Sequence, residues 1–222
     1  MCIRISTLLI ILWGLAGSMQ AQPGMQTVTR SVVKNITCTP ATIFSVNAEK
    51  ASMVVTGWNN NYIQVRISFF ARHSDPAVAN RELSYMQYAI ITEKDYTELR
   101  NIFKLPVAVD HIQSKLEIKM ELMVPVKSKL QLTNKYGDIS LVQLSGNIQV
   151  GLSFCDLRLT DIAGHVIMNA GYSDIRGNLI NTASLSCTDE KSKIALDLDG
   201  DGDFSFLSKY GDIDLSIKKS VR

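Results

Sequence analysis

The chain has 222 residues, of which 46% are hydrophobic and 20% are charged. This length and composition fit one domain of ordinary size with a buried core, and they exclude a disordered chain. The formal net charge of +2 leaves no basic field large enough to indicate nucleic acid as a partner.

The first 21 residues are organised like a signal peptide. Arg4 supplies a basic start, residues 8–16 (LLIILWGLA) form an apolar core too short to span a bilayer, and small or polar residues precede Gln22. An uncleaved anchor is the alternative. No later stretch has 18 consecutive apolar residues, so the mature chain is predicted to have no transmembrane segment. We expect export to the periplasm, the outer surface or the medium.

The segment that follows is predicted to lead from a linker into hairpins. Residues 22–40 are polar and mixed, which indicates a linker. Apolar residues then alternate with polar ones on both sides of the turn sequence GWNNN at 57–61. Glycine and asparagine tolerate positive φ in turns, so residues 51–69 predict an antiparallel hairpin.

One short helix and more strands complete the region up to residue 127. Asp75 followed by Pro76 is typical of a helix start. Apolar residues resume in strand-like order around 88–91, at Val107 and Val109, and from Leu116 onward. Residues 41–127 are therefore predicted to form hairpins and a cap for the region that follows.

Residues 128–217 repeat a short pattern, in which a polar residue precedes two apolar residues one apart. The polar residues are Lys129, Asp138, Asn147, Asp156, His165, Asp174, Ser184, Lys193, Asp203 and Asp212. Aromatic residues occupy alternate units, at Tyr136, Phe154, Tyr172 and Tyr210. Two units therefore form one rung of about 18–19 residues, and stacked rungs form a solenoid.

The prediction is an all-β fold, with a single β-solenoid (β-helix) domain over 41–218 and its regular repeats at 128–217. Residues one rung apart lie above each other in such a coil, so the aromatic residues of successive rungs should form a column. A meander of hairpins is the alternative, because it also places a strand every nine residues.

The repeats resemble those of a bacterial family of exported putative adhesins of unknown function, with KYGD-I-L motifs on a β-solenoid. The matching segments are 134–141 (NKYGDISL), 144–150 (LSGNIQV) and 209–215 (KYGDIDL). Cys155, Ser173 and Ser192 stand where the pattern has glycine. The resemblance covers about residues 41–217 and implies a non-enzymatic adhesin-like protein.

An acidic segment near the C-terminus is the strongest candidate for a metal site. Asp197, Asp199, Asp201 and Gly202 match the start of a D-x-D-x-D-G calcium loop, and Asp203 follows. Position 12 of that loop would be Ser208, which lacks the bidentate carboxylate, and the flanks read as strands. We therefore favour a solvated acidic turn, with calcium as the alternative, and predict no other cofactor.

The remaining polar residues favour structural roles. The repeated aspartates should each accept a backbone N–H within their own turn. Cys155 and Cys187 are expected to be buried apolar residues, with one disulfide as the alternative. Trp58 and Tyr62 either pack their turn or contact a sugar. His165 is expected to be an exposed turn residue.

No motif in the sequence supplies a nucleophile with its base, so no catalytic residue is predicted. The chain is expected to be an exported binding or structural module of the cell envelope whose partner is a protein or a glycan. A polysaccharide-active enzyme on the same scaffold and a periplasmic sensor or accessory protein are the alternatives.

Overall fold

The structure, a computed structural model, describes residues 24–218. The predicted signal peptide therefore lies outside the described residues. One mixed sheet of thirteen strands and one short helix make up the fold. The strands are β1 (Gln26–Thr37), β2 (Ile43–Glu49), β3 (Ala51–Trp58), β4 (Tyr62–His73), β5 (Met86–Glu93), β6 (Tyr96–Phe103), β7 (Lys115–Pro125), β8 (Lys129–Leu144), β9 (Asn147–Gly171), β10 (Asp174–Glu190), β11 (Lys193–Asp199), β12 (Asp203–Lys209) and β13 (Asp212–Lys218); the helix is α1 (Pro76–Leu83).

The C-terminal strands pair in parallel at the spacing that the repeats predict. Asp138 pairs with Asp156, and Asp156 pairs with Asp174, so each partner lies one predicted rung further along the chain. Asp174 pairs with Lys193, and Lys193 with Asp212, where the spacing is longer by a single residue. Parallel strands need a long connection between them, and here the intervening half of each repeat supplies it.

A second series of parallel ladders uses the other half of each repeat. Strand β8 pairs with β9 from Lys129 opposite Asn147, and β10 pairs with β12 from Ser184 opposite Asp203. Strand β2 extends this series and β3 extends the first one, because both pair in parallel with β8. The side chains that alternate inward in these strands are almost all apolar and form the core.

The corner between the two halves of a repeat has a left-handed backbone at a residue other than glycine. Tyr136, Phe154, Tyr172, Lys191 and Tyr210 all occupy this corner, with φ between 52° and 61°. A left-handed conformation costs a residue with a Cβ atom roughly 1–2 kcal/mol. The surrounding ladders must therefore impose the turn.

Serine hydroxyls connect neighbouring corners where the repeat pattern has lost its glycine. Ser173 Oγ accepts a hydrogen bond from the backbone N–H of Cys155 at 3.2 Å, and Ser192 Oγ accepts one from the N–H of Ser173 at 3.2 Å. Both serines are buried. These departures from the pattern therefore satisfy corner amides that would otherwise lack a partner.

The predicted hairpin over 51–69 is wrong, because β3 and β4 do not pair with each other. Strand β7 lies between them, parallel to β3 and antiparallel to β4. The chain does turn after Trp58, but β4 then lies on the far side of β7 and not beside β3. An antiparallel hairpin does occur further on, where β5 pairs with β6.

Two other segments differ from their predicted structure. Residues Gln26–Thr37, within the predicted linker, form β1 and pair antiparallel with β4 along their whole length. The predicted strand at Val107 and Val109 is wrong: both residues lie in the loop between β6 and β7, and the Val107 side chain is fully exposed. Pro106 lacks an N–H for a ladder, which agrees with this loop.

The short helix begins where the sequence predicts. The side chain of Asp75 accepts a hydrogen bond from the N–H of Ala77 at 2.8 Å, and Pro76 is the first helical residue. Buried Glu82, in the last turn of α1, accepts hydrogen bonds from the backbone N–H groups of Gln113 and Ser114. The helix thus holds the end of the β6–β7 loop.

Candidate binding surface

The outward side chains of β7, β3 and the first ladder series form one continuous surface, here called the polar face. Its central members are Lys119, Glu121, Ser52, Asp138, Ser140, Asp156, Arg158, Asp174, Arg176 and Asp214. The pairing order of the sheet runs from β1 through β4, β7, β3, β8, β9, β10 and β11 to β13. The seven strands from β7 onward carry the polar face, so six intervals of ~4.8 Å give it a length of roughly 29 Å.

Three aspartates form a row of like charges across this face. Asp138, Asp156 and Asp174 follow one another in register on adjacent strands. Asp174 is paired with Arg176 at 3.1 Å. Among the described residues, the carboxylates of Asp138 and Asp156 accept no hydrogen bond and form no ion pair.

The prediction that each of these carboxylates accepts an N–H within its own turn is therefore wrong. Each aspartate is already part of an extended segment, so its side chain points out from the sheet. The left-handed residue two positions earlier makes the corner instead. The carboxylates of Asp138 and Asp156 remain solvated and available to a partner.

A shallow depression of ≈ 240 Å³ lies where this row meets β7. Exposed Val54 contributes to its lining, together with five charged residues, Lys119, Glu121, Asp138, Asp156 and Arg158. All five charged side chains are exposed, and Lys119 and Glu121 already form ion pairs with Glu117 and Arg66, so water and these neighbours compete for the charges. Such an open site suits recognition of a polar partner better than chemistry, which needs a dry and preorganised environment.

The sequence did not reveal this cluster. Lys119 and Glu121 precede the regular repeats in the chain, and the insertion of β7 beside β3 brings them close to Asp138. The sequence indicates which residues of each strand point outward, but it does not indicate which strand lies beside β3. A correct pairing of β7 with β3 is the signal that would have found the cluster.

The four aspartates of the predicted calcium loop lie along two strands and a bend. Asp197 and Asp199 alternate with buried Leu198 on β11, Asp201 lies in the bend after Gly200, and Asp203 begins β12. Alternate strand residues are ~6.6 Å apart along the chain, so they do not wrap around one ion as loop ligands do. Within residues 24–218, no group of three or more His, Cys, Asp or Glu side chains is arranged to hold a metal ion.

A larger hollow of ≈ 630 Å³ includes two of these aspartates. Its polar lining comes from Asn178, Asp197, Asp199, Asp214, Ser216 and Lys218. It lies at the β11–β13 end of the polar face. The hollow extends the face and adds acidic side chains to that end.

The aromatic column that the repeat spacing predicts is confirmed. The rings of Tyr136 and Phe154 stack with centroids 5.1 Å apart, and those of Phe154 and Tyr172 with centroids 4.9 Å apart. The ammonium groups of Lys135 and Lys191 lie over the Tyr136 and Tyr172 rings, each 5.1 Å from the centroid. Neighbouring rings and ammonium groups thus cover the ring faces, which a sugar would need as a flat platform.

The other aromatic pair packs its own turn. Trp58 and Tyr62 meet edge to face with centroids 4.6 Å apart. The indole N–H of Trp58 donates to the backbone oxygen of Tyr62 at 2.9 Å. This hydrogen bond closes the turn between β3 and β4, as the packing interpretation of these residues expects.

The exposed histidine of the repeats contacts a serine. His165 Nδ1 and Ser184 Oγ are 2.9 Å apart on adjacent strands, and Asp203 pairs with Ser184 one strand further on. The serine lies between the histidine and the aspartate. A hydrolytic triad instead needs the histidine in the middle, where it can accept the serine proton and be oriented by the acid.

The cysteines are buried as predicted where they lie in the repeats. Cys155 and Cys187 are both inward and almost fully buried, and both are free thiols. Burial, followed by the charge of Asp189, raises the pKa of Cys187 to about 12. Cys187 therefore stays protonated and unreactive at physiological pH.

Comparisons with protein-family models and with curated proteins give no match. Among solved structures, the chain is similar to a putative cell adhesion protein from Clostridium sporogenes, with 11% identity and a TM-score of 0.47 over 86% of this chain and 100% of that one. It is also similar to a putative adhesin from Bacteroides fragilis, with 13% identity and a TM-score of 0.34 over 89% and 99%. A putative lipid binding protein from Parabacteroides distasonis matches with 11% identity and a TM-score of 0.33 over 88% and 95%.

All three TM-scores are below 0.5, and all three identities are 13% or lower. Identities this low do not transfer a ligand or an activity. In the part of the chain that the structure describes, no helix combines the length and apolar character needed to cross a membrane.

Proposed function

We propose that the chain is an exported, non-enzymatic binding module of the cell envelope, adhesin-like in action, which holds a protein or glycan partner on the polar face. The observation that carries this proposal is the polar face itself. It is long, exposed and of mixed charge, and the carboxylates of Asp138 and Asp156 have no partner among the described residues. The signal-peptide pattern of residues 1–21 supports export.

The scaffold in this proposal is a β-solenoid. Three observations support it: parallel pairing at a nearly constant offset of one repeat, a left-handed corner once per repeat, and stacked rings at that corner. Each turn of such a coil adds one outward strand to the polar face. The length of the face then follows from the number of repeats.

The chemistry of the face indicates a hydrated polar partner. Arg158 forms no ion pair among the described residues. It lies two residues after Asp156 on β9, and Lys119 of β7 lines the same depression. Such exposed groups can make charge-assisted hydrogen bonds to carboxylate, amide or hydroxyl groups of a ligand. Many weak contacts along a rigid face add up without a deep pocket.

Binding to an envelope extract, separated into polysaccharide and protein fractions, tests this proposal. The immobilised protein should retain material from one of the two fractions, and Arg158→Glu should reduce retention at least several-fold by reversing a charge at the centre of the face. Arg100→Glu is the matched control: Arg100 is also exposed and unpaired but lies on β6, in the other ladder series.

Equal retention by the wild-type protein and Arg158→Glu would contradict the proposal. Turnover of a polysaccharide would favour the enzyme alternative. Retention of one envelope protein from the protein fraction, lost in Arg158→Glu, would identify a protein partner.

A further inference from the structure

The last two strands leave apolar residues uncovered at one end of the ladders. Within the described residues, β12 pairs only with β10, and β13 only with β11. Ile213 and Ile217 are 38% and 58% exposed, whereas their ladder partners Ile194 and Leu198 are 2% and 0% exposed. Among residues 24–218, no strand or helix covers the core at this end.

The backbone groups at this end point outward for pairing. Asp212 donates its N–H to Ser192, so Asp212 faces β11 and residues 213, 215 and 217 face away. Lys209 accepts from the N–H of Lys191, so residues 204, 206 and 208 of β12 face away in the same manner. Three residues of each strand thus present free N–H and C=O groups.

The sequences of the two edge strands are complementary to themselves. Both β12 (DFSFLSK) and β13 (DIDLSIK) begin with aspartate and end with lysine six residues later. A second copy of either strand can run antiparallel to the first, with the two copies aligned at the central residue, Phe206 or Leu215. Aspartate of each copy then lies opposite lysine of the other. In β13 the same alignment places Ile213 opposite Ile217, and every inward residue stays inward.

We propose that this end is an interface with a second copy of the same chain, joined end to end by antiparallel pairing of β12 with β12 and β13 with β13. Phe206 lies four residues before Tyr210, and Leu215 lies four residues after Gly211. The two central residues are therefore at equal distances from the same corner. A single two-fold axis can therefore pass through both Phe206 and Leu215. It pairs β12 with β12 of the second copy and, at the same time, β13 with β13.

Both central residues have their backbone groups directed outward, so each forms a hydrogen-bonded pair with its own copy. Asp212 meets Lys218 of the second copy, and Asp203 meets its Lys209. The exposed apolar side chains of both copies close into one continuous core. The proposed interface adjoins the β13 end of the polar face and shares Lys218 with the hollow there, but it requires no ligand of that face.

Both edge strands lack two of the devices that protect sheet edges against such pairing. The described residues of β12 and β13 include no proline and no inward-pointing charge. The opposite end of the sheet differs, because β1 is antiparallel to β4 and its residues are largely exposed and polar. A head-to-tail contact would therefore join unlike surfaces, whereas the two-fold contact joins like surfaces.

Sedimentation equilibrium of the purified protein at rising concentration tests the proposal. The expected result is a monomer–dimer equilibrium. Asp212→Lys alone and Lys218→Asp alone should each weaken the dimer by about 10-fold, because each change creates two like-charge contacts across the axis. The double variant with both changes should restore the dimer, because the charges again match. Asp110→Lys, in the β6–β7 loop, is the control with the same charge change and should have no effect.

The double variant separates this interface from a role within one chain. Asp212 pairs in register with Lys193, and Lys218 with Asp199. In the double variant both of these intrachain neighbours become like charges, so an intrachain role predicts that it is the least stable variant and does not regain dimerisation. A protein that stays monomeric at all concentrations, an open-ended series of larger assemblies, or a double variant weaker than either single change would overturn the proposal.

Discussion

The rings of Tyr136 and Phe154 stack 5.1 Å apart, although both residues hold a left-handed backbone that only glycine adopts without cost. Ring stacking between repeats thus offsets local backbone strain at the corners of Tyr136, Phe154 and Tyr172. The two contributions have opposite signs, so substitutions can separate them.

Phe154 contacts a ring on each side and is the residue for this test. Phe154→Ala removes both stacking contacts and keeps the strain, so we expect the free energy of unfolding to fall by about 1–3 kcal/mol. Phe154→Gly loses the same contacts but relieves the left-handed conformation, so it should be about 1 kcal/mol more stable than the alanine variant. Denaturant unfolding of the three proteins measures both differences.

Lys50 supplies the matched control for the strain alone. It has a left-handed backbone at the equivalent corner, with φ 54°, and is exposed without a ring partner. Lys50→Gly should therefore stabilise the protein by several tenths of a kcal/mol to about 1 kcal/mol. Equal stability of Phe154→Ala and Phe154→Gly would show that the left-handed backbone at residue 154 carries no measurable strain.

Gly137 is required by a close backbone approach. A Cβ atom on this residue would lie 2.2 Å from the backbone oxygen of Ala51, which belongs to a neighbouring strand. Gly137→Ala should therefore lower the free energy of unfolding by about 2 kcal/mol or more. Gly151→Ala is the control, because its added Cβ would meet no atom closer than 3.6 Å and should leave stability nearly unchanged. Equal melting temperatures for the two variants would contradict this account.

Glu82 should make stability depend on pH in the acid range. Burial alone would raise the pKa of its carboxyl group, but the hydrogen bonds from Gln113 and Ser114, together with Arg81, lower it below its usual value. The resulting stabilisation is complete above the unfolded pKa of ~4.3 and is lost as the pH falls through the lower folded pKa. Glu82→Gln should cost about 1.5–3 kcal/mol at pH 7.

The difference in unfolding free energy between wild type and Glu82→Gln should shrink as the pH falls below ~4.3. Thermal unfolding from pH 7 to pH 3 measures it. Glu93→Gln, at an exposed position on β5 without a hydrogen-bond partner, is the control and should follow the wild type at every pH. A constant difference between wild type and Glu82→Gln at all pH values would show that the carboxylate charge is not involved.

The cysteines should differ in their reactivity toward a thiol reagent. Cys187 is buried with its pKa raised to about 12, and Cys155 is buried among backbone oxygens. Cys38 is partly exposed, although burial raises its pKa as well. Peptide mass spectrometry after labelling at pH 8 should find Cys38 modified in the native protein and the other two only after denaturation. Rapid native labelling of Cys187 would contradict its burial.

The acidic segment should not bind calcium tightly. Asp197 and Asp199 lie on an extended strand, which holds their carboxylates apart, and Ser208 cannot supply the bidentate ligand of a calcium loop. Calorimetric titration should show no saturable heat at millimolar calcium. A saturable signal that disappears in Asp199→Asn would show instead that the loop rearranges around the ion.

Local spacing predicted the regular part of this fold well. The intervals between Asp138, Asp156 and Asp174 gave the register of the parallel ladders and the stacking of the rings, because a repeat of fixed length aligns equivalent residues. Asp75 gave the start of the helix for a similarly local reason, since a cap acts within two residues.

Pairing between distant segments was not predictable from the same signals. The alternating residues of β3 and β4 fit any half-buried strand, and nothing in them shows that β7 separates the two. The cluster of Lys119, Glu121 and Asp156 depends on that insertion and was missed with it. The buried carboxylate of Glu82 was missed because its partners come from a distant loop.

The departure of the chain after β3 has a consequence for the order of folding. Ile43 of β2 pairs with Lys129, which lies beyond the whole of β3 to β7, whereas the later repeats pair with their nearest neighbours along the chain. Closing a longer loop costs more conformational entropy and slows the contact that depends on it. The C-terminal repeats should therefore form the nucleus, and the first strands in the sequence should be among the last to dock.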